Sequence, residues 1–232
     1  MDNLFISVAT FNRKNVVEIC LANLKKYKRD SYLKIYDDCS SEYGVEFLSQ
    51  FGPVYRAKKN LGIDPMKEFQ FRDFLETDYD YLYITDSDAI HDPNFIDVLR
   101  NAPKDKPLSL YTSQNAGEVP KKWINEDIPF LKTFHRKYSG GISHLYSRKM
   151  AQEIVKCLDF ERFNAWDYHT IDMLGTTMNV TLKSYVDHLG AHGVHSGGSW
   201  YSDYALDSTT YLRELRSDSI MYIEGLGLKP EI

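Results

Sequence analysis

The stretch YLYITDSDAIHDPNFI, residues 81 to 96, changes abruptly from apolar to acidic. Its first four residues, 81–84, have the apolar and aromatic character of a buried β-strand. Asp86, Ser87 and Asp88 follow almost at once, and two carboxylates held together in a cleft would repel and raise each other's pKa. The pattern therefore predicts a buried strand that ends where something must compensate negative charge.

Strand-like and helix-like segments alternate through the first hundred residues and continue more loosely beyond residue 107. The predicted strands cover residues 4–10, 32–38, 53–57, 79–85, 108–113, 140–147 and 180–187. The predicted helices cover about 12–28, with Asn12 as its cap, and then 64–76, 92 onward, 148 onward and 166–174. The alternation indicates an α/β fold with a mostly parallel, Rossmann-like sheet and helices on both faces.

Polar residues follow each of the first four predicted strands, and ligands of such sheets bind beyond the carboxyl ends of the strands. These four segments are Thr10-Phe11-Asn12, Asp37-Asp38-Cys39, Lys58-Lys59-Asn60 and Asp86-Ser87-Asp88. The sequence therefore predicts a binding site at this edge of the sheet.

Composition excludes several classes of function. The chain has 232 residues and a net charge of −5, with no basic run that could follow a nucleic-acid backbone. No apolar stretch is long enough to cross a bilayer, and the first residues do not resemble a signal peptide. Three widely spaced cysteines fit a reducing, cytoplasmic compartment. No linker divides the sequence, so we expect a single domain over 1–232, which could also be part of a longer protein.

Two interpretations of Asp86-Ser87-Asp88 compete. A solvated turn before a helix that starts at Asp92-Pro93 would explain the two acids without any ligand. A divalent cation such as Mg²⁺ or Mn²⁺ would also relieve their repulsion, because hard cations take oxygen ligands and bridge to phosphates. The strand before the motif and the other polar strand ends favour the cation.

A segment rich in glycine and histidine, VDHLGAHGVHSGGSW, covers residues 186 to 200. His195 and the glycines after it could bring an imidazole to a metal, with His192 as the alternative ligand. A loop with ordinary surface histidines, or a zinc site that also uses His188, are competing interpretations.

Two further acids, Asp167 and Asp172, lie in FNAWDYHTIDML, residues 163 to 174. A carboxylate beside an aromatic ring in a cleft has a raised pKa and suits a general base. A helix N-cap is the competing interpretation of Asp167.

Four motifs follow one another over about residues 4 to 96: VATFNR, IYDDCSSE, NLGIDPMK and YLYITDSDAIHDPNF. Their succession resembles that of family-2-type glycosyltransferases of the GT-A fold. GGISHLYSRKMA and WDYHTID are similar to later segments of that family, although more loosely. Cys39 stands in place of the usual Gly, and Lys67-Glu68 in place of Arg-Asn.

The resemblance implies a role for each matched position. Asp38 would accept a hydrogen bond from a uracil-type imide N–H, and Lys67 would lie near the pyrophosphate. Metal ligands would be Asp86, Asp88 and His195, and the metal Mn²⁺ or Mg²⁺. The residues implied at the donor nucleotide are Thr10, Phe11, Arg13, Asp38, Asn60, Gly62, Lys67, Asp86 and Ser87.

The expected reaction is metal-dependent transfer of a sugar from a nucleoside diphosphate sugar, expected to be a UDP-sugar, to a glycan or glycoprotein hydroxyl. Residues 1–105 would bind the donor and residues 106–232 the acceptor. Asp167 would be the general base of an inverting reaction, and Asp172 is the alternative candidate for the base. Two alternatives are a nucleotidyltransferase that makes the nucleotide sugar and a non-catalytic nucleotide- or carbohydrate-binding module. The oligomeric state is not predicted.

Overall fold

The computed structural model describes residues 3–113, 124–125, 132–136, 140–157, 166–189 and 205–226. The strands are β1 (Leu4–Thr10), β2 (Tyr32–Asp37), β3 (Val54–Arg56), β4 (Tyr81–Asp86), β5 (Ala89–His91), β6 (Leu108–Ser109), β7 (Ile124–Asn125), β8 (Thr133–Arg136), β9 (Ser143–Ser147), β10 (Met178–Thr181) and β11 (Val186–His188). The helices are α1 (Lys14–Tyr27), α2 (Val45–Ser49), α3 (Ile63–Leu75), α4 (Phe95–Asn101), α5 (Arg148–Cys157), α6 (Trp166–Met173) and α7 (Thr210–Gly225).

Nine of the described strands form one sheet in the order β3-β2-β1-β4-β9-β6-β10-β8-β7. Strands β8 and β9 run opposite to the other seven, so the sheet is mostly parallel, as predicted. In the register of β1 with its neighbours, Thr10 pairs with Asp37 and Ala9 pairs with Asp86. The acidic ends of β2 and β4 therefore lie on either side of the end of β1.

Helices cover both faces of this sheet, which confirms the predicted α/β architecture. On one face α1, α2 and α4 pack against the sheet through residues such as Leu21 and Phe95. On the other face α3, α5 and α6 pack through residues such as Phe71 and Ile154. Strands β1 and β4 are apolar along most of their length because both of their faces are buried.

A separate sheet of two short strands lies beside the large one. β5 pairs antiparallel with β11, and Ile90 of β5 packs with Leu212 and Ile223 of α7 and Val16 of α1. This small sheet begins one residue after Asp88, so it determines how the chain leaves the end of β4.

Two local predictions are wrong. Asn12 does not cap α1, which begins at Lys14 with Arg13 at the cap position, because the Asn12 carboxamide oxygen accepts hydrogen bonds from the Ser41 and Glu42 amides instead. The strand predicted over 180–187 is two strands, β10 and β11, in different sheets. Among the described helices, none is both long and apolar enough to cross a membrane.

Candidate functional site

One group of polar and charged side chains surrounds Asp88, in the turn between β4 and β5. Arg13 Nη1 donates a hydrogen bond to Asp88 Oδ2 at 2.9 Å. His188 Nε2 lies 3.1 Å from Asp88 Oδ1. Burial alone would raise the pKa of Asp88, but His188 and Arg13 outweigh it and hold that pKa well below its usual range. Asp88 is therefore a buried carboxylate that is ionised at neutral pH.

The small sheet explains why Asp88 and His188 meet. In the register of β5 with β11, His188 pairs with Ala89, the residue that follows Asp88. The Leu189 amide donates to the Asp88 carbonyl at 2.8 Å, which joins the two backbones at the same place. Asp187 Oδ1 accepts hydrogen bonds from the amides of His188 and Ala205, and so holds the end of β11.

Arg13 reaches Asp88 from a fixed loop after β1. Both Asn12 and Arg13 have left-handed backbone conformations, with φ of 50° and 57°. The Asn12 amide donates to Ser40 Oγ at 2.9 Å, and Tyr43 Oη donates to the Asn12 carbonyl at 3.1 Å. These bonds tie the loop to the segment after β2, so the rigid scaffold itself directs the Arg13 side chain.

Asp38 closes the loop that precedes α3. Its two carboxylate oxygens accept hydrogen bonds from the amides of Leu61, at 2.7 Å, and Gly62, at 2.8 Å. Gly62 has φ of 85° and ψ of 169°, a conformation that only glycine adopts readily. A carboxylate oxygen can accept a second hydrogen bond beside the first. The predicted contact of Asp38 with a nucleotide base is therefore compatible with this arrangement.

Asp86, the last residue of β4, has its own cationic partner on the other face of the sheet. Lys67 of α3 is completely buried, and its ammonium lies 2.9 Å from Asp86 Oδ1 and 4.6 Å from the centre of the Trp166 ring. Trp166 packs against Gly141, where a β-carbon would lie only 2.7 Å from the ring. Lys67 thus joins the end of β4 to the start of α6.

Asp167 is the second residue of α6 and lies near this ion pair. Burial raises the pKa of Asp167, hydrogen bonds from the backbone amides of Asp167 and Tyr168 lower it, Asp86 raises it further and Lys67 opposes the rise. Asp172 is exposed and lies five residues later, which on a helix is roughly 140° around the axis. The structure therefore separates the two predicted bases: Asp167 is half-buried near Asp86 and Lys67, whereas Asp172 is exposed.

The remaining predicted residues differ in how far they are exposed to solvent. Thr10 and Ser87 are buried at the edge of the sheet, whereas Phe11 is half-buried and Asn60 exposed. His192 and His195 lie outside the described residues. His188 is the ligand candidate that the sequence did not single out, because its only signal was membership of the same group of three histidines.

The pair of Asp88 and His188 fits a divalent cation. Asp88 Oδ1 and His188 Nε2 lie 3.1 Å apart, and a carboxylate beside an imidazole is a donor set that divalent cations such as Mn²⁺ would accept. Within the described part of the chain, no group of three metal-ligating side chains occurs. A cation here would take its other ligands from water and a phosphate-containing ligand, as Mg²⁺ commonly does.

Comparisons with known proteins identify the fold. A scan of protein-family models and a search of curated proteins both return no match. TarS 1–349 of S. aureus matches with a TM-score of 0.59 and 15% identity, over 79% of this chain and 59% of that one. The complex of TarS 1–349 with UDP-GlcNAc matches with a TM-score of 0.58 and 14% identity, over 79% of this chain and 57% of that one. The mannosyltransferase PcManGT of Pyrobaculum calidifontis, in complex with GDP-Man and Mn²⁺, matches with a TM-score of 0.54 and 14% identity. The match covers 77% of this chain and 56% of that one.

These structures are GT-A-type glycosyltransferases, so the fold of this chain is the GT-A fold. The fold predicted from the four sequence motifs is confirmed. The chain spans less than two-thirds of the length of each of these proteins.

Proposed function

We propose that this chain is a metal-dependent glycosyltransferase. It would move a sugar from a nucleoside diphosphate sugar, most simply a UDP-sugar, to a hydroxyl group of a glycan or glycoprotein. The observation that carries the proposal is the meeting of Asp88 and His188 at the carboxyl edge of a GT-A sheet. Matched structures that contain UDP-GlcNAc, or GDP-Man with Mn²⁺, support this choice of substrate class and cofactor.

Asp88 and His188 are the residues that would hold Mn²⁺ or Mg²⁺, with Asp86 close by on the same strand end. A cation in this position supplies Lewis-acid stabilisation of the negative charge that develops on the leaving diphosphate. His195, the ligand that the family resemblance implies, remains a proposal because it lies outside the described residues.

Donor binding is proposed for residues 1–105 and acceptor binding for 106–232, within one domain. The loops after β1 and β2 are held together by Asn12 and its partners, and Asp38 fixes the loop before α3. Loops that are fixed before the ligand arrives lose little entropy on binding. Phe11 and Gly62 lie on these loops and Thr10 ends β1, and all three would line the nucleotide.

Asp167 would act as the general base of an inverting reaction. It would take the proton of the acceptor hydroxyl while that oxygen attacks the anomeric carbon and the bond to the diphosphate breaks. Burial raises the pKa of Asp167, so Asp167 would be a stronger base than an exposed aspartate. The positive charge of Lys67 partly opposes this increase in pKa. The exposed Asp172 is a poorer candidate for this role.

Thermal unfolding with UDP-GlcNAc or GDP-Man, each with and without Mn²⁺, tests donor binding. A donor at about 100 times its Kd adds about 2.7 kcal/mol of stability, which corresponds to a rise in Tm of about 5–10 °C for a chain of this size. Asp88→Asn should remove the part of the rise that depends on Mn²⁺, and it should also lower the Tm without ligand because Arg13 and His188 lose a buried carboxylate partner. If Asp88→Asn retains the full metal-dependent rise, Asp88 is not the metal ligand.

A turnover assay separates the three classes of function. Release of UDP or GDP in the presence of an acceptor supports the transferase. Release of pyrophosphate from a nucleoside triphosphate and a sugar phosphate would instead identify a nucleotidyltransferase. Donor binding with neither product would identify a binding module.

A further inference from the structure

Both oxygens of Asp88 already have a partner from the protein. Arg13 contacts Oδ2 and His188 contacts Oδ1, and the Arg13 and Asp88 side chains are only 19% and 10% exposed. A neutral imidazole is itself a metal ligand, so His188 can stay beside Asp88 when a cation binds. The guanidinium has no lone pair to offer a metal, and its positive charge opposes a second cation.

The contact between Arg13 and Asp88 is built into the fold rather than made by a freely moving side chain. Arg13 occupies the cap position of α1 with φ of 57°, a conformation that is unfavourable for residues other than glycine, asparagine and aspartate. Arg13 Nε is buried and has no hydrogen-bond partner among the described residues, so the bond to Asp88 is the main polar anchor of the guanidinium. The backbone of Arg13 is therefore fixed beside Asp88, whereas the guanidinium at the end of the side chain has one polar anchor and can turn to another anion.

We propose that Arg13 is the resting counter-ion of Asp88 and that a divalent cation binds to Asp88 only in competition with the guanidinium. The inference rests on the proposed function, since it takes Asp88 to be the metal ligand. When a diphosphate is present, it gives the displaced guanidinium a new anionic partner. Metal and donor therefore bind cooperatively, and the metal alone binds weakly.

The expected effect is large enough to measure. A unit charge about 5 Å from a divalent ion changes the binding constant by roughly tenfold even when the dielectric constant is that of water. Removal of the Arg13 charge should therefore tighten the binding of Mn²⁺ alone by about tenfold or more. The same change should reduce the factor by which UDP tightens the binding of Mn²⁺, because the guanidinium no longer links the two ligands.

The chain offers a closely matched control. Arg29, like Arg13, has a left-handed backbone (φ of 54°) and an aspartate partner, Asp97, but it lies just beyond the other end of α1. Asparagine tolerates this backbone conformation, so Arg13→Asn and Arg29→Asn remove the same charge with little strain. The two sites are about 20 Å apart along the helix.

The experiment is a titration of the intact protein with Mn²⁺, with the free ion measured by electron paramagnetic resonance, with and without UDP. We expect Arg13→Asn to lower the Kd for Mn²⁺ about tenfold and to shrink the effect of UDP, while Arg29→Asn changes the Kd less than twofold. Arg13→Gly provides a second variant with the same expectation if the asparagine variant folds poorly.

An unchanged or higher Kd in the folded Arg13 variants would overturn the proposal, and so would an equal effect of Arg29→Asn. Asp88→Asn separates this failure from failure of the proposed function. If that variant loses Mn²⁺ binding and the Arg13 variants do not gain it, Asp88 is the ligand but Arg13 does not compete. If Asp88→Asn still binds Mn²⁺ as the wild type does, the proposed metal site itself is wrong.

Discussion

Acid should destabilise this protein through one buried histidine, His91, which ends the strand that follows Asp88. Its ring is fully buried and packs against Phe95, with ring centres 4.6 Å apart. Nε2 lies 3.1 Å from Tyr83 Oη and 3.3 Å from Thr85 Oγ1. Nδ1 has no hydrogen-bond partner within the described residues, so a second proton on the ring would be buried without an acceptor.

The size of the effect follows from the pKa of His91, which burial lowers from 6.5 to about 3. Because the folded-state pKa is depressed, the unfolded chain binds a proton below pH 6.5 that the folded chain does not bind. The stability that neutral His91 contributes is therefore fully present above pH 6.5 and is lost as the pH falls, by about 1.4 kcal/mol per pH unit. At pH 5 the loss from this single group is about 2 kcal/mol.

Urea unfolding of the wild type and of His91→Gln at pH 7.5 and pH 5 measures this contribution. Glutamine keeps a hydrogen-bonding group but does not titrate, so the difference in pH dependence between the two proteins isolates the histidine. We expect the wild type to lose about 2 kcal/mol more than the variant between the two pH values. Equal losses would show that His91 accepts its second proton in the folded state, and the argument from its buried Nδ1 would be wrong.

Two further predictions concern the start of α6. Gly141→Ala would place a β-carbon 2.7 Å from the Trp166 ring, so we expect a loss of about 1–3 kcal/mol in stability and slower transfer with little change in donor affinity. Gly140→Ala, which meets no atom within 4 Å, is the control, and equal effects of the two would contradict the packing argument. For the general base, the acid limb of the pH–rate profile should lie above the ordinary aspartate value of 3.8, because burial raises the pKa of Asp167. Asp86→Asn should move this limb to lower pH, and a limb that does not move would remove Asp86 from the environment of the base.

Most of the large sheet could be predicted from sequence because its signals are local. Strands β1, β2 and β4 are apolar runs that end in acids or other polar residues, and the helices between them have apolar faces at helical spacing. The parallel order of these strands follows from the length of the crossovers. The positions after the strands are therefore predictable as a group, and the structure brings Thr10, Asp38, Asp86 and Asp88 to one edge.

The partners of those acids could not be predicted in the same way. β5 and β11 are three residues each, too short to show a periodic pattern, and their pairing depends on α7 and α1 packing around them. His188 is placed by that pairing, so its local sequence does not distinguish it from His192. Asn12 failed as a helix cap for a related reason, since the amides that it binds lie in a loop after the next strand.

The arrangement of charges explains how two carboxylates can end a hydrophobic strand before any ligand binds. Asp86 is paired with Lys67 on one face of the sheet, and Asp88 with Arg13 and His188 on the other, so each acid has a separate partner from a different element. Separate partners offset the negative charge of each acid, whereas two unpaired carboxylates held close together would repel each other. In the proposed function, binding of a divalent ion at Asp88 would then exchange one positive charge for another. The affinity for the ion would depend on how readily the Arg13 guanidinium leaves, so Arg13 would be as important for the proposed activity as Asp88, the acid that it contacts.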